Sequence, residues 1–112
     1  MHIIDTHISH EELKHLANER YGDLVKAVVD VERGVMAIGM EMHVDGEATL
    51  LEQGSKQQNL WGINIYPEKP RDEWVEFDSM INLRPRQNNR SRGVDDPEIQ
   101  RKIIAIVDKL TA

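Results

Sequence analysis

The chain contains no cysteine, and this absence excludes disulfide bonds and thiolate metal ligands. No apolar run approaches the roughly 20 residues that a membrane helix needs. The first residues, MHIIDTHISHEEL, lack the basic segment followed by an apolar one that marks a signal peptide. Together these absences predict a soluble cytoplasmic protein with no membrane partner.

Positive charge is also scarce, since 14 Lys and Arg face 20 Asp and Glu, for a net charge of -6. Proteins that bind nucleic acid over a broad surface are usually basic, so the composition disfavours nucleic acid as the partner and leaves only a local basic patch. Aromatic residues make up 4%, but the charges are interspersed, which indicates a folded chain. The length of 112 residues predicts one globular domain over residues 1–112.

Two helices are predicted, one near each end of the chain. Ser9 and Glu12 match the S-x-x-E capping box, and an apolar stripe with helical spacing follows. Near the other end, Pro97 follows two aspartates, and DDPEIQRKIIAIVDKL has its apolar residues on one helical face.

Between the helices, apolar residues recur at every second position, which is typical of strands with one buried face. Asp45-Gly46 is a strong signal for a two-residue hairpin. We therefore predict an α+β fold, an antiparallel meander of about five strands with the N-terminal and C-terminal helices packed on one face. Two helices cover only one face, so the other face is expected to be partly open and polar. The strands are predicted at 24–32, 35–44, 48–52, 60–67 and 74–85.

The stretch SMINLRPRQNNRSRG carries four arginines within nine residues and no acid among them. Arginine provides bidentate donors to phosphate or carboxylate, and the asparagines and glycine tolerate turns that present backbone N–H groups. Arg90 or Arg92 can instead pair with the acids at the start of the last helix, or with Asp78, and hold the loop in place. The predicted ligand-binding residues, on the loop and the open sheet face, are Arg84, Arg90, Arg92, Asn64, Asp78 and Asn82.

His43 lies inside the predicted sheet, with Glu41 two residues away on the same face. This pair is a candidate general base with an orienting carboxylate, although a half-exposed strand histidine is the commoner situation. The stretch HEELKH is one residue longer than the zinc motif H-E-x-x-H, so its histidines point in different directions around a helix. No nucleotide-binding motif is present, and we expect no metal and no cofactor.

The stretches LLEQGSKQQNLWGINIYPEKPRDEW, EFDSMINLRP and NRSRGVDDPEI resemble a family of small uncharacterised prokaryotic proteins, known as a domain of unknown function. GSKQ, LWGINIYP, FDSMIN and NRSRG carry the resemblance, which extends over nearly the whole chain. It implies a single-domain intracellular protein whose activity is not established, and it assigns no catalytic residue.

The sequence is compatible with three hypotheses about function. The first is a binding or regulatory module that takes a small anionic molecule or an acidic protein partner. The second is a small metal-independent ribonuclease or hydrolase that uses His43 or Glu41 as its base. The third is a homodimeric interaction protein without a small-molecule ligand.

Overall fold

A five-stranded antiparallel sheet forms the centre of the computed structural model, which describes residues 1–112. The strand order is β1-β3-β2-β4-β5. It departs from a simple meander because β1 pairs with β3 and β4 pairs with β2. Helices lie between β1 and β2 and between β3 and β4 in the chain. The strands are β1 His2–Ile4, β2 Val25–Asp30, β3 Val35–Ile38, β4 Leu60–Ile65 and β5 Val75–Glu76.

The two terminal helices are α1, His10–Arg20, and the last helix, Pro97–Thr111. Ser9 begins α1, and its hydroxyl oxygen accepts a hydrogen bond from the Glu12 backbone N–H at 3.1 Å. Asp96 begins the last helix in the same way, by accepting from the backbone N–H two residues later at 2.9 Å. Both helices bury their apolar stripes in one core against the same face of the sheet. The predicted α+β fold, with terminal helices on one face, is confirmed.

A helix that the sequence did not predict, α2, spans His43–Glu52, so the last helix is α3. The predicted hairpin at Asp45-Gly46 and the strand over 48–52 are therefore wrong. Gly46 is needed for close packing, since a Cβ there would lie 2.5 Å from Met40 Cε and 3.0 Å from Val28 Cγ2. Asp45 lies in the first helical turn, where a negative charge is favourable. Burial of one side of this segment thus outweighs its local turn signal.

Helix α2 covers much of the second face of the sheet, which was expected to be open. A second core there joins Val28, Ala37 and Leu60 of the sheet to Met40 and Leu50. The end of this face that carries the cross-strand row Lys26, Asn64 and Glu76 lies outside that core. The open polar surface is therefore smaller than predicted and lies beside the start of α2.

The strand predicted over 35–44 is also too long. Strand β3 ends at Ile38, and the chain then turns at Gly39, where φ is +78°. As a result Met36 and Met40 belong to different cores on opposite faces, while Met42 is 57% exposed. None of the three α-helices has the length and apolar character of a membrane span.

The predicted strand 74–85 is shortened to the two residues of β5. Beyond it, the side chain of Asn82 takes the place of a neighbouring strand beside β4. Its Oδ1 accepts from the Gly62 N–H at 2.8 Å, and its Nδ2 donates to the Gly62 carbonyl at 2.9 Å. The same Nδ2 donates to the Arg92 carbonyl at 2.9 Å and so ties the arginine-rich loop to the sheet.

Candidate functional site

Arg84 is buried and directs its guanidinium into the protein rather than to solvent. Burial lowers its pKa, while the Glu47 carboxylate, 3.5 Å away, opposes that shift. Three backbone carbonyls accept hydrogen bonds from this guanidinium, those of Gln57, Leu60 and Ile81. These donors are used within the fold.

The remaining predicted arginines are exposed and differ in their contacts. Arg92 Nε donates to Asp78 Oδ1 at 2.7 Å. The side chain of Arg90 makes no hydrogen bond or ion pair, and its backbone N–H donates to Asp95 Oδ2 at 2.9 Å. Asp95 also accepts from the Ser91 hydroxyl at 2.6 Å, and these hydrogen bonds lower the pKa of Asp95. The loop is therefore shaped by Asp95, with Arg92 held against Asp78.

A cleft of about 260 Å³ lies between the start of α2, the open end of the sheet and the segment that follows β5. It brings together four of the predicted site residues, His43, Asn64, Asp78 and Arg92. The complete lining is Lys26, Met42, His43, Val44, Asn64, Asp78, Ser79, Met80, Ile81 and Arg92. The predicted residues outside this lining are Glu41, Asn82, Arg84 and Arg90.

His43 is the first residue of α2, and its predicted position inside a strand beside Glu41 is wrong. The ring Nε2 lies 2.8 Å from the Ile63 carbonyl, and because a carbonyl only accepts, Nε2 carries the proton. Nδ1 then has a free lone pair, makes no hydrogen bond within the protein and is accessible to solvent. Glu41 is exposed outside the cleft, where its backbone carbonyl accepts from the Tyr21 hydroxyl.

The cleft keeps His43 neutral at pH 7. Burial lowers the pKa of the imidazole from its ordinary value of 6.5. The positive charges of Lys26 and Arg92 lower it further, while the hydrogen bond to Ile63 and the charge of Asp78 raise it. A neutral imidazole with an accessible Nδ1 is able to accept a hydrogen bond or a proton.

Asn64 presents an unpartnered acceptor on the cleft wall. The side chain is 7% exposed, and Nδ2 donates to Glu76 Oε1 at 2.8 Å. Because a carboxylate only accepts, this contact fixes the amide orientation and leaves Oδ1 buried without a partner. Glu76 also accepts from the Tyr66 hydroxyl at 3.0 Å, and burial together with this contact raises the pKa of Tyr66 to about 12. An unpartnered buried polar atom costs about 1–3 kcal/mol.

The N-terminus of α2 adds positive potential to the same cleft. Met42 precedes the helix and provides no side-chain hydrogen bond to it, so the backbone N–H groups of His43 and Val44 stay available, while that of Asp45 donates to the Met42 carbonyl at 3.0 Å. Residues Met42, His43 and Val44 all line the cleft. Aligned peptide dipoles and free N–H groups favour an anion at such a position.

The sequence did not reveal this helix terminus or the role of Ser79 and Met80 in the lining. A usable signal was present in HVDGEATLLE, where Ala, Leu and Glu favour a helix and an acid occupies its first turn. Lys26, which also lines the cleft, lies directly opposite Asn64 on the neighbouring strand.

Comparison with known proteins identifies the family of this chain. A family model described as a protein of unknown function (DUF5674) matches residues 2–110. Because the match covers nearly all 112 residues, the chain belongs to this family, and the predicted resemblance to a domain of unknown function is confirmed. No curated protein and no solved structure matches the chain.

Proposed function

We propose that this member of the family binds a small anion in the cleft at the start of α2. One observation carries the proposal, the convergence of Lys26 and Arg92 with an uncapped helix N-terminus. Cationic side chains and helix N-terminal N–H groups are the donors that proteins use for carboxylates and phosphates.

The arrangement of Arg92 suits this role. Only its Nε is bonded to Asp78, so the two terminal nitrogens carry no hydrogen bond in the protein. The ion pair fixes the direction of a long side chain and reduces the entropy that a ligand contact would otherwise cost. Arg84 and Arg90 are not included in the proposed site, because Arg84 is engaged internally and Arg90 lies outside the lining.

The proposal is tested by thermal shift and calorimetry with inorganic phosphate and acetate. A ligand at 100 times its Kd stabilises the fold by about 2.7 kcal/mol, which amounts to several degrees in Tm. We expect Lys26→Gln and Arg92→Gln each to weaken binding roughly tenfold, since each removes one charge-assisted contact of about 1.5–3 kcal/mol. The matched control, Arg90→Gln, is expected to bind as the wild type does. Equal binding by all four proteins, or by none, would contradict the proposal.

A second candidate function is a small metal-independent ribonuclease or hydrolase. The free Nδ1 of neutral His43 favours it, since that atom is available as a general base beside a cation that stabilises developing negative charge. We expect turnover of RNA or a phosphoester to decline below the lowered pKa of His43, where the base becomes protonated. His43→Gln retains a donor toward the Ile63 carbonyl but removes the base, and should reduce the rate at least 100-fold. No turnover by the wild type over pH 5–9 would exclude this candidate.

A further inference from the structure

The composition of the cleft lining narrows the class of the anion, and this inference rests on the proposed function. We infer that the ligand is a small α-hydroxy acid with an aliphatic side chain, bound as its monoanion. Its carboxylate meets Arg92 and the first turn of α2, its hydroxyl group donates to His43, and its side chain contacts the apolar part of the lining.

The net charge of the lining favours a monoanion. Lys26 and Arg92 are positive and Asp78 is negative. Because His43 is neutral at pH 7, the side chains of the lining carry one net positive charge. The free N–H groups at the start of α2 add to this positive potential. A monoanion balances the charge, whereas a zwitterion, with no net charge, leaves it uncompensated.

His43 favours a ligand that also carries a hydrogen-bond donor. The residue is only 8% exposed, and yet it lines the cleft. Its Nε2 is used by the Ile63 carbonyl, so the accessible Nδ1 is the ring atom that remains for a bound molecule. A neutral Nδ1 accepts a hydrogen bond, which a carboxylate cannot donate. The ligand that fits best therefore has an O–H or N–H group in addition to its negative charge.

The position of this acceptor favours a hydroxyl group next to the carboxylate. Nδ1 and a free backbone N–H belong to the same residue, His43, and the free N–H of Val44 follows directly. The donor and the carboxylate of the ligand must therefore be close together, as they are when a hydroxyl group is on the carbon that bears the carboxylate. A hydroxyl group fits better than an ammonium group, because it adds no positive charge beside Lys26 and Arg92.

Arg92 is able to bind the carboxylate while it stays paired with Asp78. The ion pair uses Nε, at 2.7 Å from Asp78 Oδ1, and leaves both terminal nitrogens for the ligand. Guanidinium groups bind carboxylates in a bidentate manner. Lys26 adds a second positive charge to the same cleft.

Size and the apolar part of the lining indicate the aliphatic side chain. A volume of about 260 Å³ is smaller than the roughly 300–1,000 Å³ of pockets for drug-sized ligands, so the cleft suits a very small molecule. Four apolar residues line it, and three of them, Met42, Val44 and Met80, are 49–63% exposed. Methionine side chains adapt to ligands of different shape, which suits an aliphatic group. Inorganic phosphate has no apolar group for these side chains to contact.

The test uses isothermal calorimetry at pH 7 with the full chain and three probes that share one carbon skeleton. They are α-hydroxyisocaproate, in both enantiomers, isocaproate, which lacks the hydroxyl group, and L-leucine, which has an ammonium group in its place. Lactate and inorganic phosphate complete the set, since they lack most or all of the apolar part. We expect one enantiomer of α-hydroxyisocaproate to bind about fivefold more tightly than isocaproate, the factor that one neutral hydrogen bond contributes. It should bind about tenfold or more tightly than L-leucine, lactate and phosphate.

Two histidine variants test the assignment of the hydroxyl group. His43→Gln retains an N–H for the Ile63 carbonyl but lacks Nδ1, and it should reduce the preference for the hydroxy acid over isocaproate to less than twofold. His15→Gln changes an exposed histidine of α1 outside the cleft and should retain the preference. A preference that survives His43→Gln unchanged overturns the assignment of the hydroxyl group to Nδ1.

The outcomes separate this inference from the proposed function. If isocaproate, L-leucine or phosphate binds as tightly as the hydroxy acid, the hydroxy-acid inference is overturned. The proposed function still stands in that case, provided that anion binding depends on Lys26 and Arg92. If no probe binds, the proposed function fails as well.

Discussion

Arg84→Met is expected to lower the free energy of unfolding by about 3–5 kcal/mol, the range for removing one partner of a buried ion pair. Methionine retains much of the packing of the arginine stem above the Trp61 ring, 4.8 Å from the guanidinium carbon. It leaves the Glu47 carboxylate, 11% exposed, without its cation, and it leaves the Leu60 and Ile81 carbonyls without their donor, while the Gln57 carbonyl keeps the Leu60 N–H. Urea denaturation monitored by tryptophan fluorescence measures the change.

The control is Arg90→Met, which changes the same residue type in the same loop. The Arg90 side chain has no bonded partner, so we expect a change within about 0.5 kcal/mol. The double variant Arg84→Met/Glu47→Gln has no unpaired carboxylate at position 47. Its free energy of unfolding should therefore be higher than that of Arg84→Met. Equal destabilisation by Arg84→Met and Arg90→Met would show that the two arginines do not differ as the structure indicates.

Asn82→Ala is expected to lower the free energy of unfolding by roughly 2 kcal/mol or more, because two buried backbone groups lose their partner at about 1–3 kcal/mol each. These groups are the N–H and carbonyl of Gly62, while the Arg92 carbonyl keeps its hydrogen bond from the Ser79 N–H at 2.9 Å. Asn82 itself is fully buried. At roughly 4–8 °C per kcal/mol for a domain near this size, the Tm should fall by about 10 °C or more. Differential scanning calorimetry provides the measurement.

Asn18→Ala on the exposed surface of α1 provides the comparison, since its side chain makes no hydrogen bond and alanine favours a helix. Asn82→Asp retains the acceptor for the Gly62 N–H but sets a buried carboxylate oxygen against the Gly62 and Arg92 carbonyls, so its Tm should fall at least as far as that of Asn82→Ala. A Tm for Asn82→Ala within 2 °C of the wild type would contradict the assigned role.

The terminal helices were predictable because their signals are local. Ser9 and Asp96 begin helices whose apolar stripes lie within the same short stretch of sequence. Helix α2 was not predictable in the same way, since Asp45-Gly46 forms a good turn unless the glycine is needed for contact with Val28. That contact joins residues 18 positions apart in the sequence and exists only once the sheet has formed.

The site was predictable only in part, for a related reason. Asn64 and Asp78 were identified as polar residues on a sheet face, and the structure places both in the cleft with Arg92. His43 was selected as a strand residue, yet it reaches the cleft as the first residue of a helix. The burial of Arg84 was not visible in a charged, turn-rich loop, because sequence does not show which arginine finds inward-facing carbonyls.

The hydrogen bonds between the Asn82 side-chain amide and β4 also affect self-association of the protein. An unpaired strand edge is a template on which a second chain can add a strand, and this is a common start of aggregation. Here β5 pairs with only the last two residues of β4, Asn64 and Ile65. Asn82 occupies both backbone groups of Gly62 next to that pairing, and Ser79 lies directly over the same glycine. A second chain therefore cannot add a strand at this part of the sheet, although β5 is only two residues long. The segment that blocks the addition also forms one wall of the cleft.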